Sequence, residues 1–424
     1  MKIAVVGTGI AGNVAAYKLR DAHDITVYEA NDYIGGHTNT VDVEEGSRRF
    51  AIDTGFIVFN DRTYPEFSRI LEELQQSWRD SVMSFSVRQA ASGLEYNGST
   101  LDGLFAQRAN MLRPRFLRMI GDILRFNRNA AETLADDAGH CSVGHYLEVH
   151  GYSREFYADY LQPMVAAIWS AEPKTVADMP LRFVVQFFVN HGLLQLKDRP
   201  QWRTIEGGSK EYVSKLVEGH RDRIRLSSPV VSVRRIASGV EVRTEEGSTE
   251  SYDRVFLACH ADQALKMLED PTVTEREVLG SFGFQDNHAV LHTDERLLPS
   301  SRRAWAAWNY RVPSDDTGHV TVTYNMNILQ GLESQTQYCV TLNEAEQIDP
   351  KTVLYETSYS HPIISAESVT AQQRHREVNT GMGTYYCGAY WRNGFHEDGV
   401  VSALAAIRHF EEEQRGELHF RRAS

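Results

Sequence analysis

A glycine-rich turn near the start of the chain constrains the fold more than any other feature of the sequence. The turn, residues 7–12, has the pattern G-x-G-x-x-G and follows Lys2–Val6, a short apolar run typical of a buried parallel strand. Residues 13–22 are rich in helix-forming side chains, and residues 25–28 form a second apolar run that ends at Glu29. Strand, glycine turn, helix, strand and acid in this order predict a Rossmann-type βαβ unit that binds a dinucleotide.

Each glycine of the turn has its own physical role. Gly7 permits the tight turn, Gly9 lets the backbone approach a pyrophosphate, and Gly12 lets the helix pack closely on the strand. The amino end of the helix offers N–H groups and a positive dipole to phosphate. Glu29 can accept hydrogen bonds from ribose hydroxyls, and its charge disfavours a 2′-phosphate. We therefore expect dinucleotide contacts at Gly7, Gly9, Ile10, Ala11, Gly12, Glu29 and Ala30.

The residues after Glu29 bear on which dinucleotide is bound, because nicotinamide dinucleotides and FAD share the glycine fingerprint. A Gly-Gly pair follows at residues 35–36, and the runs 41–44 and 50–55 predict a hairpin that returns to the sheet. With the D-x-G sequence at 53–55, this pattern resembles the FAD-dependent amine oxidase superfamily. The resemblance implies FAD, with the Gly-Gly pair along its pyrophosphate and ribityl chain. It places cofactor contacts at Gly35, Gly36, His37, Thr54 and Gly55, although many members have arginine at the position of His37.

Later segments extend the resemblance. Residues 202–209 contain a second Gly-Gly pair before a predicted helix, residues 211–218, and residues 253–259 resemble a strand of the same domain. A strand-like run holds Val230 and Val231, which the resemblance places at the adenine end of FAD. Towards the C-terminus we predict a strand over 384–389, a turn over 394–399 and a helix over 400–410.

The resemblance implies that this last helix directs its amino end at the flavin pyrimidine, where reduced flavin carries negative charge. Further cofactor contacts are implied at Gly388, Asp398 and Gly399. Many members of the superfamily have an acid that holds the ribityl chain at the position where this chain has Ala389.

A narrower resemblance covers nearly the whole chain. The segments 33–38, 53–60, 190–195 and 388–391 are similar to a bacterial group of flavoproteins predicted to bind NAD or FAD. Members of that group are commonly encoded near cyclopropane-fatty-acyl-phospholipid synthases, and some relatives are implicated in modifying methylated or unsaturated acyl chains. The resemblance therefore implies a lipid-like substrate.

The expected fold is α/β, with a discontinuous Rossmann-type FAD-binding domain and an inserted α+β substrate domain made of a helical cap and a sheet. We predict that residues 1–75, 203–262 and 379–424 form the FAD-binding domain, the last of these including a tail. Residues 76–202 are mostly helical by pattern and are assigned to the cap. Residues 263–378 have strand-like runs at 289–293, 320–325 and 338–342 and are assigned to the sheet.

Candidate catalytic residues follow from the chemistry that a flavin enzyme needs. No second G-x-G-x-x-G holds NADPH, which disfavours a reductase or monooxygenase and leaves an oxidase, dehydrogenase or double-bond isomerase. His191, His260 and His396 are candidate acid–base groups because histidine titrates near neutral pH. Tyr390 and Trp391 are candidate walls of an apolar slot over the flavin. A purely structural role is the competing interpretation for all five, and no His or Cys spacing predicts a metal site.

Charge and cysteine usage exclude several classes of protein. The 424 residues carry a formal charge of −13, which disfavours a nucleic-acid-binding protein. Four scattered cysteines fit a reducing cytoplasm, and no run is apolar enough for a secretory signal or a membrane span. Residues 108–128 are the exception to the acidic character: they hold six arginines in a predicted amphipathic helix. This helix suits anionic lipid headgroups or a lipid carboxylate, or else a cap helix with solvated arginines.

Three functions remain open on the sequence. The first is an FAD-dependent oxidoreductase that moves hydride from a substrate C–H bond to the flavin, in the oxidation, desaturation or isomerisation of a fatty acyl or other lipid-like chain. The second is an amine oxidase that produces hydrogen peroxide, although the arginines of residues 108–128 argue against an amine substrate. The third is a non-catalytic flavin-binding redox sensor or partner of a lipid-modifying enzyme. We expect a cytoplasmic protein, with peripheral membrane contact through residues 108–128 as an alternative to a fully soluble one.

Overall fold

The structure is a computed structural model that describes residues 1–135, 141–313 and 321–416. Its strands are β1 (Lys2–Val6), β2 (Asp24–Tyr28), β3 (Thr40–Glu45), β4 (Arg48–Asp53), β5 (Phe59–Asn60), β6 (Trp78–Ser81), β7 (Phe85–Gln89), β8 (Glu95–Asn97), β9 (Trp202–Ile205), β10 (Ile224–Arg225), β11 (Val230–Ile236), β12 (Gly239–Thr244), β13 (Thr249–Tyr252), β14 (Arg254–Leu257), β15 (Phe284–His292), β16 (Trp308–Val312), β17 (Val322–Asn325), β18 (Cys339–Leu342), β19 (Val353–Pro362) and β20 (Thr384–Tyr386).

Its α-helices are α1 (Ile10–Leu19), α2 (Pro65–Glu73), α3 (Leu101–Leu104), α4 (Pro114–Asn129), α5 (Val143–Val149), α6 (Arg154–Phe156), α7 (Gln162–Trp169), α8 (Leu181–Asn190), α9 (Lys210–Val217), α10 (Ala261–Met267), α11 (Val273–Leu279), α12 (Met326–Leu329), α13 (Ala366–Gln372), α14 (His375–Val378) and α15 (His396–Gln414). None of these helices is both long enough and apolar enough to span a bilayer within the described ranges.

A five-stranded parallel sheet with the order β10-β2-β1-β14-β20 forms the first layer. Its strands come from three widely separated stretches of chain, as the predicted discontinuous domain requires. In the register of the sheet, Val6 pairs with Tyr28 and Leu257, and Leu257 pairs with Tyr386. The carboxyl ends of four strands therefore lie side by side, and ligands of such sheets bind at this edge.

Both faces of the parallel sheet are covered. On one face, α1, α9 and α15 pack with α2 around buried residues such as Val5, Leu216 and Val400. On the other face, the three-stranded sheet β11-β12-β13 packs with α10 and α11 around Val255 and Leu257. The strands of the central sheet are apolar throughout because neither face meets water.

A second, seven-stranded sheet has the order β19-β15-β18-β17-β16-β7-β8 and is antiparallel except between β7 and β16. Helices α4, α5, α7 and α8 pack against it around a common core that includes Phe126, Phe156 and Leu291. The predicted runs 289–293 and 338–342 coincide with β15 and β18. The run 320–325 coincides with β17, and residue 320 itself lies outside the described residues.

Two expectations about these segments need correction. The hairpin β3–β4 forms where it was predicted, but it is a two-stranded sheet of its own and does not join the parallel sheet. The predicted cap segment 76–202 also supplies strands. Phe85, Val87 and Tyr96 of β7 and β8 pack at the edge of the seven-stranded sheet, and β6 pairs with β9 in a separate three-stranded sheet, β5-β9-β6. The boundaries between the predicted domains stay a prediction.

The arginine-rich segment 108–128 is not one helix. A 3-10 turn covers Arg108–Leu112, and α4 begins only at Pro114. Proline fits the first position of a helix, and the residue before it is held in an extended conformation. The apolar side chains of α4 also divide between two faces, since Phe116, Met119 and Phe126 are buried while Leu117 and Leu124 are exposed.

Candidate active site

The glycine turn lies at the carboxyl edge of the parallel sheet, between β1 and α1. A Cβ atom on Gly12 would lie 1.9 Å from the carbonyl oxygen of Gly7, so only glycine fits there. Gly9 is different, because its φ is −62° and a Cβ atom on it would meet nothing within 4 Å. No side chain caps the amino end of α1, where Ile10 and Ala11 follow. Gly9 thus opens onto space beside uncapped helical N–H groups, which fits a pyrophosphate.

Glu29 is held beside this turn at the end of β2. Its carboxylate accepts hydrogen bonds from the backbone N–H of Thr8 at 2.8 Å and of Asn31 at 2.9 Å. The N–H of Ser228 donates to the carbonyl of Glu29, which brings the start of β11 alongside. There Val230 is buried and Val231 is exposed, while Ala30 is exposed next to Glu29. Glu29 and the start of β11 therefore meet, as a site for an adenosine ribose requires.

The Gly35–Gly36 pair lies against the glycine turn of residues 7–12. A Cβ atom on Gly36 would come within 3.1 Å of the Cα of Gly9, and the N–H of Gly35 donates to the Thr8 hydroxyl at 3.3 Å. The carbonyl of His37 accepts from the N–H of Phe56 at 2.8 Å, so residues 35–37 and 54–56 run side by side. A Cβ atom on Gly55 would lie 2.1 Å from that carbonyl oxygen.

The amino end of α15 closes the same region. A Cβ atom on Gly399 would lie 2.6 Å from Cγ2 of Ile10, so the first turns of α1 and α15 are in contact. Gly388 precedes α15 and donates its N–H to the Ser402 hydroxyl at 2.9 Å. The amino ends of α1 and α15, the glycine turn and the Gly35–Gly36 pair thus converge, and the predicted FAD contacts stay a prediction.

The two acids at the start of α15 hold helix ends. Asp398 accepts from the N–H of Phe395 at 2.9 Å, and burial raises the pKa of Asp398 to about 6. Glu397 accepts from the N–H groups of Glu66 at 3.0 Å and Phe67 at 2.9 Å, in the first turn of α2. Burial raises the pKa of Glu397 to about 7. The sequence predicted a cofactor contact at Asp398, which stays a prediction; in the structure its carboxylate caps its own helix.

The three candidate histidines occupy different environments. His396 is buried, stacks on Phe56 with ring centres 3.7 Å apart, and shares a 2.7 Å hydrogen bond with the Tyr212 hydroxyl. Desolvation holds the pKa of His396 far below its usual range. His260 stacks on the Phe284 ring at 4.3 Å, and burial lowers the pKa of His260 as well.

His191 ends α8. Its Nδ1 lies 2.9 Å from the Phe187 carbonyl, which requires a proton on Nδ1 and makes Nε2 an acceptor. Burial lowers the pKa of His191 to about 4, so the ring is neutral at physiological pH.

Tyr390 and Trp391 are buried in the core behind β20. Both rings pack on Phe282, with centroids 4.9 and 5.2 Å away, and neither lines the cavity described next. Their predicted role as walls over the flavin stays untested.

A cavity of about 440 Å³ adjoins the amino end of α15. It is lined by Arg62, Thr63, Tyr64, Pro65, Val189, Asn190, His191, Arg392, Asn393, Phe395, Glu397 and Asp398. Sequence reasoning identified only His191 and Asp398 among these. Phe395 immediately precedes the candidate His396 in the sequence and was not predicted to line a cavity. Arg62 and Arg392 belong to no sequence motif, since they are 330 residues apart and only the fold brings them together.

Sequence reasoning also missed a cluster of aromatic side chains around His37. The His37 ring stacks on Tyr359 at 4.9 Å and lies 5.4 Å from the ring of His361. Burial, with His361 and His260 nearby, lowers the pKa of His37 to about 3. His37 is therefore neutral, and it cannot supply the charged contact that arginine makes in other members. Across the described ranges, no group of three or more His, Cys, Asp or Glu side chains has the geometry to hold a metal ion.

Comparison with known proteins defines the class. Residues 10–311 match the family model described as flavin containing amine oxidoreductase, and the chain belongs to this family. This membership, together with a glycine turn and helix amino ends that fit FAD, makes the chain an FAD-dependent oxidoreductase. A comparison with curated proteins found no match.

Solved structures share the fold over nearly the whole chain. Cyclohexylamine oxidase from Brevibacterium oxydans is 16% identical with a TM-score of 0.68, and the alignment covers 97% of this chain and 99% of that one. Putrescine oxidase bound to putrescine is 14% identical with a TM-score of 0.67 and the same coverage. A fatty acid isomerase from P. acnes that produces CLA is 16% identical with a TM-score of 0.68, covering 96% of this chain and 98% of the other. At these identities the likeness defines the fold.

Proposed function

We propose that this enzyme acts on a fatty acyl or similar lipid-like chain and oxidises, desaturates or isomerises it. Bound FAD supplies an acceptor for the hydride of a substrate C–H bond. In oxidation or desaturation, the accompanying proton leaves to a base or to solvent and the electrons pass on to an acceptor. Isomerisation would need no external electron acceptor, because substrate and product are at the same oxidation level.

The chemistry of the cavity beside α15 carries this proposal. Arg62 and Arg392 both line it, with Nε of Arg392 3.8 Å from the Asp398 carboxylate, and Phe395, Tyr64 and Val189 supply apolar surface. Guanidinium groups bind carboxylates through paired hydrogen bonds, and they repel an ammonium group. A chain with a carboxylate end and an apolar body suits this combination.

Glu397 and Asp398 also line the cavity, but they weaken its preference for a carboxylate over an amine less than two free carboxylates would. The carboxylates of Glu397 and Asp398 already accept hydrogen bonds from backbone N–H groups. Their pKa values are raised to about 7 and about 6, so Glu397 is only partly ionised near neutral pH. An amine substrate would therefore meet less negative charge here than two free carboxylates would give.

We assign roles to residues of the expected cofactor site and of the cavity. Gly9 and the amino end of α1 would hold the pyrophosphate of FAD, Glu29 would hold its ribose, and the amino end of α15 would stabilise negative charge on the reduced flavin. His191, neutral and with Nε2 as an acceptor, is the candidate base for the substrate proton. Phe395 and Tyr64 exclude water from the reacting carbon.

An amine oxidase that releases hydrogen peroxide is the second candidate. Two observations favour it: the acids Glu397 and Asp398 line the cavity, and two of the structural neighbours above are oxidases of cyclohexylamine and putrescine by name. A flavin-binding sensor without turnover is the third candidate, and substrate-dependent loss of the flavin absorption band would exclude it.

A substrate panel separates these candidates. The FAD-loaded enzyme is mixed with saturated and unsaturated fatty acids, their methyl esters, and primary amines. Flavin absorbance, peroxide and double-bond position are then measured. We expect turnover with fatty acids, weaker turnover with the esters, and none with amines. Reduction of the flavin by amines alone would contradict the proposal.

Two arginine variants test the carboxylate contact. We expect Arg62→Gln and Arg392→Gln each to raise the KM for fatty acids about tenfold with a smaller change in kcat, since each removes one charged hydrogen-bonding partner. Arg221→Gln, at an exposed position outside the cavity, is the matched control. An unchanged KM in both variants would show that the guanidinium groups do not bind the substrate.

A further inference from the structure

One surface of the molecule exposes large apolar side chains among arginines. It is formed by α3, the 3-10 turn Arg108–Leu112 and α4, and we refer to residues 101–128 as the α3–α4 surface. The exposed fractions are 78% for Leu101, 86% for Leu112, 47% for Met111, 46% for Leu117 and 43% for Leu124. Isolated exposed leucines are ordinary, but a group of five on one short stretch marks an interaction surface.

The exposure follows from how α4 packs. Its inward face is filled by Phe116, Met119 and Phe126, which pack in the core below. Leu117 and Leu124 are seven residues apart, so they lie two turns from each other on one face of the helix. That face is turned away from the core. Two faces of α4 are therefore apolar: one packs against the rest of the protein, and the other is exposed.

The turn before α4 is the most continuously exposed part of this surface. Met111, Leu112, Arg113, Pro114 and Arg115 are five consecutive exposed residues. Pro114 begins α4 and fixes Arg113 in an extended conformation, with φ −90° and ψ 109°. The turn therefore presents two apolar side chains at a rigid tip, with a guanidinium group on each side of the proline.

The charge of the α3–α4 surface is opposite to that of the chain. The stretch has six arginines and two aspartates, a net charge of +4, while the whole chain carries −13. Arg108 pairs with Asp102, Arg125 pairs with Asp122 at 2.9 Å, and Arg115 lies 3.6 Å from Glu155. Within the described ranges, no acid lies within 4 Å of the guanidinium groups of Arg113, Arg118 or Arg128.

We propose that the α3–α4 surface binds an anionic lipid bilayer. Its arginines meet the headgroup phosphates, and Met111 and Leu112 enter the boundary between headgroups and acyl chains. A second copy of this chain fits less well, because a symmetric dimer would place one arginine-rich surface against the same surface of its partner. Nucleic acid fits less well because it offers the leucines no apolar counterpart. This inference does not depend on the substrate proposed above.

Cosedimentation with vesicles tests the proposal. The full-length, FAD-loaded protein is mixed with vesicles of phosphatidylcholine alone, or of phosphatidylcholine with phosphatidylglycerol, at low and high salt. We expect binding to the mixed vesicles at least about tenfold stronger than to the neutral ones, and weaker at high salt.

Two pairs of variants separate the apolar and charged contributions. Met111→Ser with Leu112→Ser, and Arg113→Ala with Arg118→Ala, should each weaken binding to the mixed vesicles about tenfold. Leu196→Ser and Arg221→Ala, at exposed positions elsewhere, should leave binding unchanged. The flavin absorbance per protein shows whether each variant is folded.

Three results would overturn the proposal. The first is no sedimentation with either type of vesicle. The second is equal binding to neutral and anionic vesicles, or equal binding by the variants and their controls. The third is a concentration-dependent dimer in sedimentation velocity that Met111→Ser with Leu112→Ser abolishes, which would assign the surface to a second copy.

Discussion

Gly9 and Gly98 are two glycines at which a Cβ atom would meet no other protein atom within 4 Å, and neither needs a positive φ. The fold therefore tolerates a side chain at both positions. They differ in what surrounds them, because Gly9 faces the amino end of α1 while Gly98 lies after β8 in a different part of the fold. At Gly9, beside the uncapped amino end of α1, a ligand that approaches the backbone explains why the residue is glycine.

Replacing Gly9 tests this interpretation. We expect Gly9→Val to weaken FAD binding by about a hundredfold or more, because the side chain occupies the path of the pyrophosphate, while the thermal stability of the FAD-free chain changes little. FAD affinity is measured by quenching of flavin fluorescence on binding. Gly98→Val is the control and should leave FAD affinity unchanged. Equal FAD affinity of Gly9→Val and the native chain would place the pyrophosphate elsewhere.

Residues close together in sequence could be predicted well. The glycine turn, Glu29 and the helix α1 lie within 30 residues, and each has a local signature that the structure reproduces. The roles of Glu397 and Asp398 could not be predicted. Glu397 caps a helix 330 residues away, and no pattern in the sequence marks an acid whose partner is a distant backbone N–H group.

At the scale of secondary-structure elements, helix α2 depends on α15 for its first turn. The N-cap residue of α2 is Tyr64, whose side chain makes no capping hydrogen bond. Glu397 of α15 supplies the cap instead, by accepting from the N–H groups of Glu66 and Phe67. When it is ionised, the Glu397 carboxylate also complements the positive amino end of the α2 dipole. The helix that contributes Pro65 to the cavity lining is therefore fixed by the helix that contributes Glu397 and Asp398.

Removing this cap should destabilise the protein. We expect Glu397→Ala to lower the free energy of unfolding by about 1–3 kcal/mol, because two buried N–H groups lose their acceptor. Glu397→Gln keeps one acceptor oxygen and should cost less. Glu66→Ala, which removes an exposed ion pair with Arg69, is the control and should cost under about 1 kcal/mol. Denaturant unfolding measures all three, and a cost for Glu397→Ala no larger than for Glu66→Ala would contradict the assigned cap.

The position of a helix along the chain could be predicted more reliably than which of its faces is buried. Helical spacing in residues 108–128 predicted one helix, which forms only from Pro114 onwards, and it assigned Leu117 and Leu124 to the same apolar face as Phe116. The structure separates them, since the helix begins at Pro114 and its orientation is set by contacts with α6 and with the core. Periodicity reports that a segment is helical, but which side is buried depends on neighbours far along the chain.

At the scale of the whole molecule, Asp53 connects three distant stretches. Its carboxylate accepts from the hydroxyl and N–H of Ser209, 156 residues away, and from Gln330, 277 residues away. The Thr40 hydroxyl also donates to it at 2.6 Å. Asp53 is fully buried, and desolvation raises the pKa of Asp53 to about 6 against these hydrogen bonds. The predicted D-x-G motif thus joins parts of the chain on both sides of the site.

The raised pKa of Asp53 has a consequence for stability. The folded state holds the Asp53 proton more tightly than the unfolded state, whose pKa is about 4, so this contribution to stability is complete below pH 4 and is lost as pH rises to about 6. The loss amounts to at most about 3 kcal/mol.

Asp53→Asn removes this titration. We expect the Tm of the native chain, relative to Asp53→Asn, to fall between about pH 4 and pH 6 and to be constant above. Asp21→Asn, at a side chain that is 91% exposed, should show no such trend. A difference in Tm between native and Asp53→Asn that does not change across this range would mean that Asp53 titrates normally.

The central claim is that a lipid-like chain gives up hydride to FAD in the cavity beside α15. Rapid anaerobic mixing of the FAD-loaded enzyme with an unsaturated fatty acid, and with the same acid deuterated next to its double bond, tests it most directly. We predict a fast loss of the flavin absorption band, or a shifted double bond in the product, that deuteration slows severalfold. If neither change occurs with any fatty acid while a primary amine removes the flavin absorption band, the enzyme is an amine oxidase and the account is wrong.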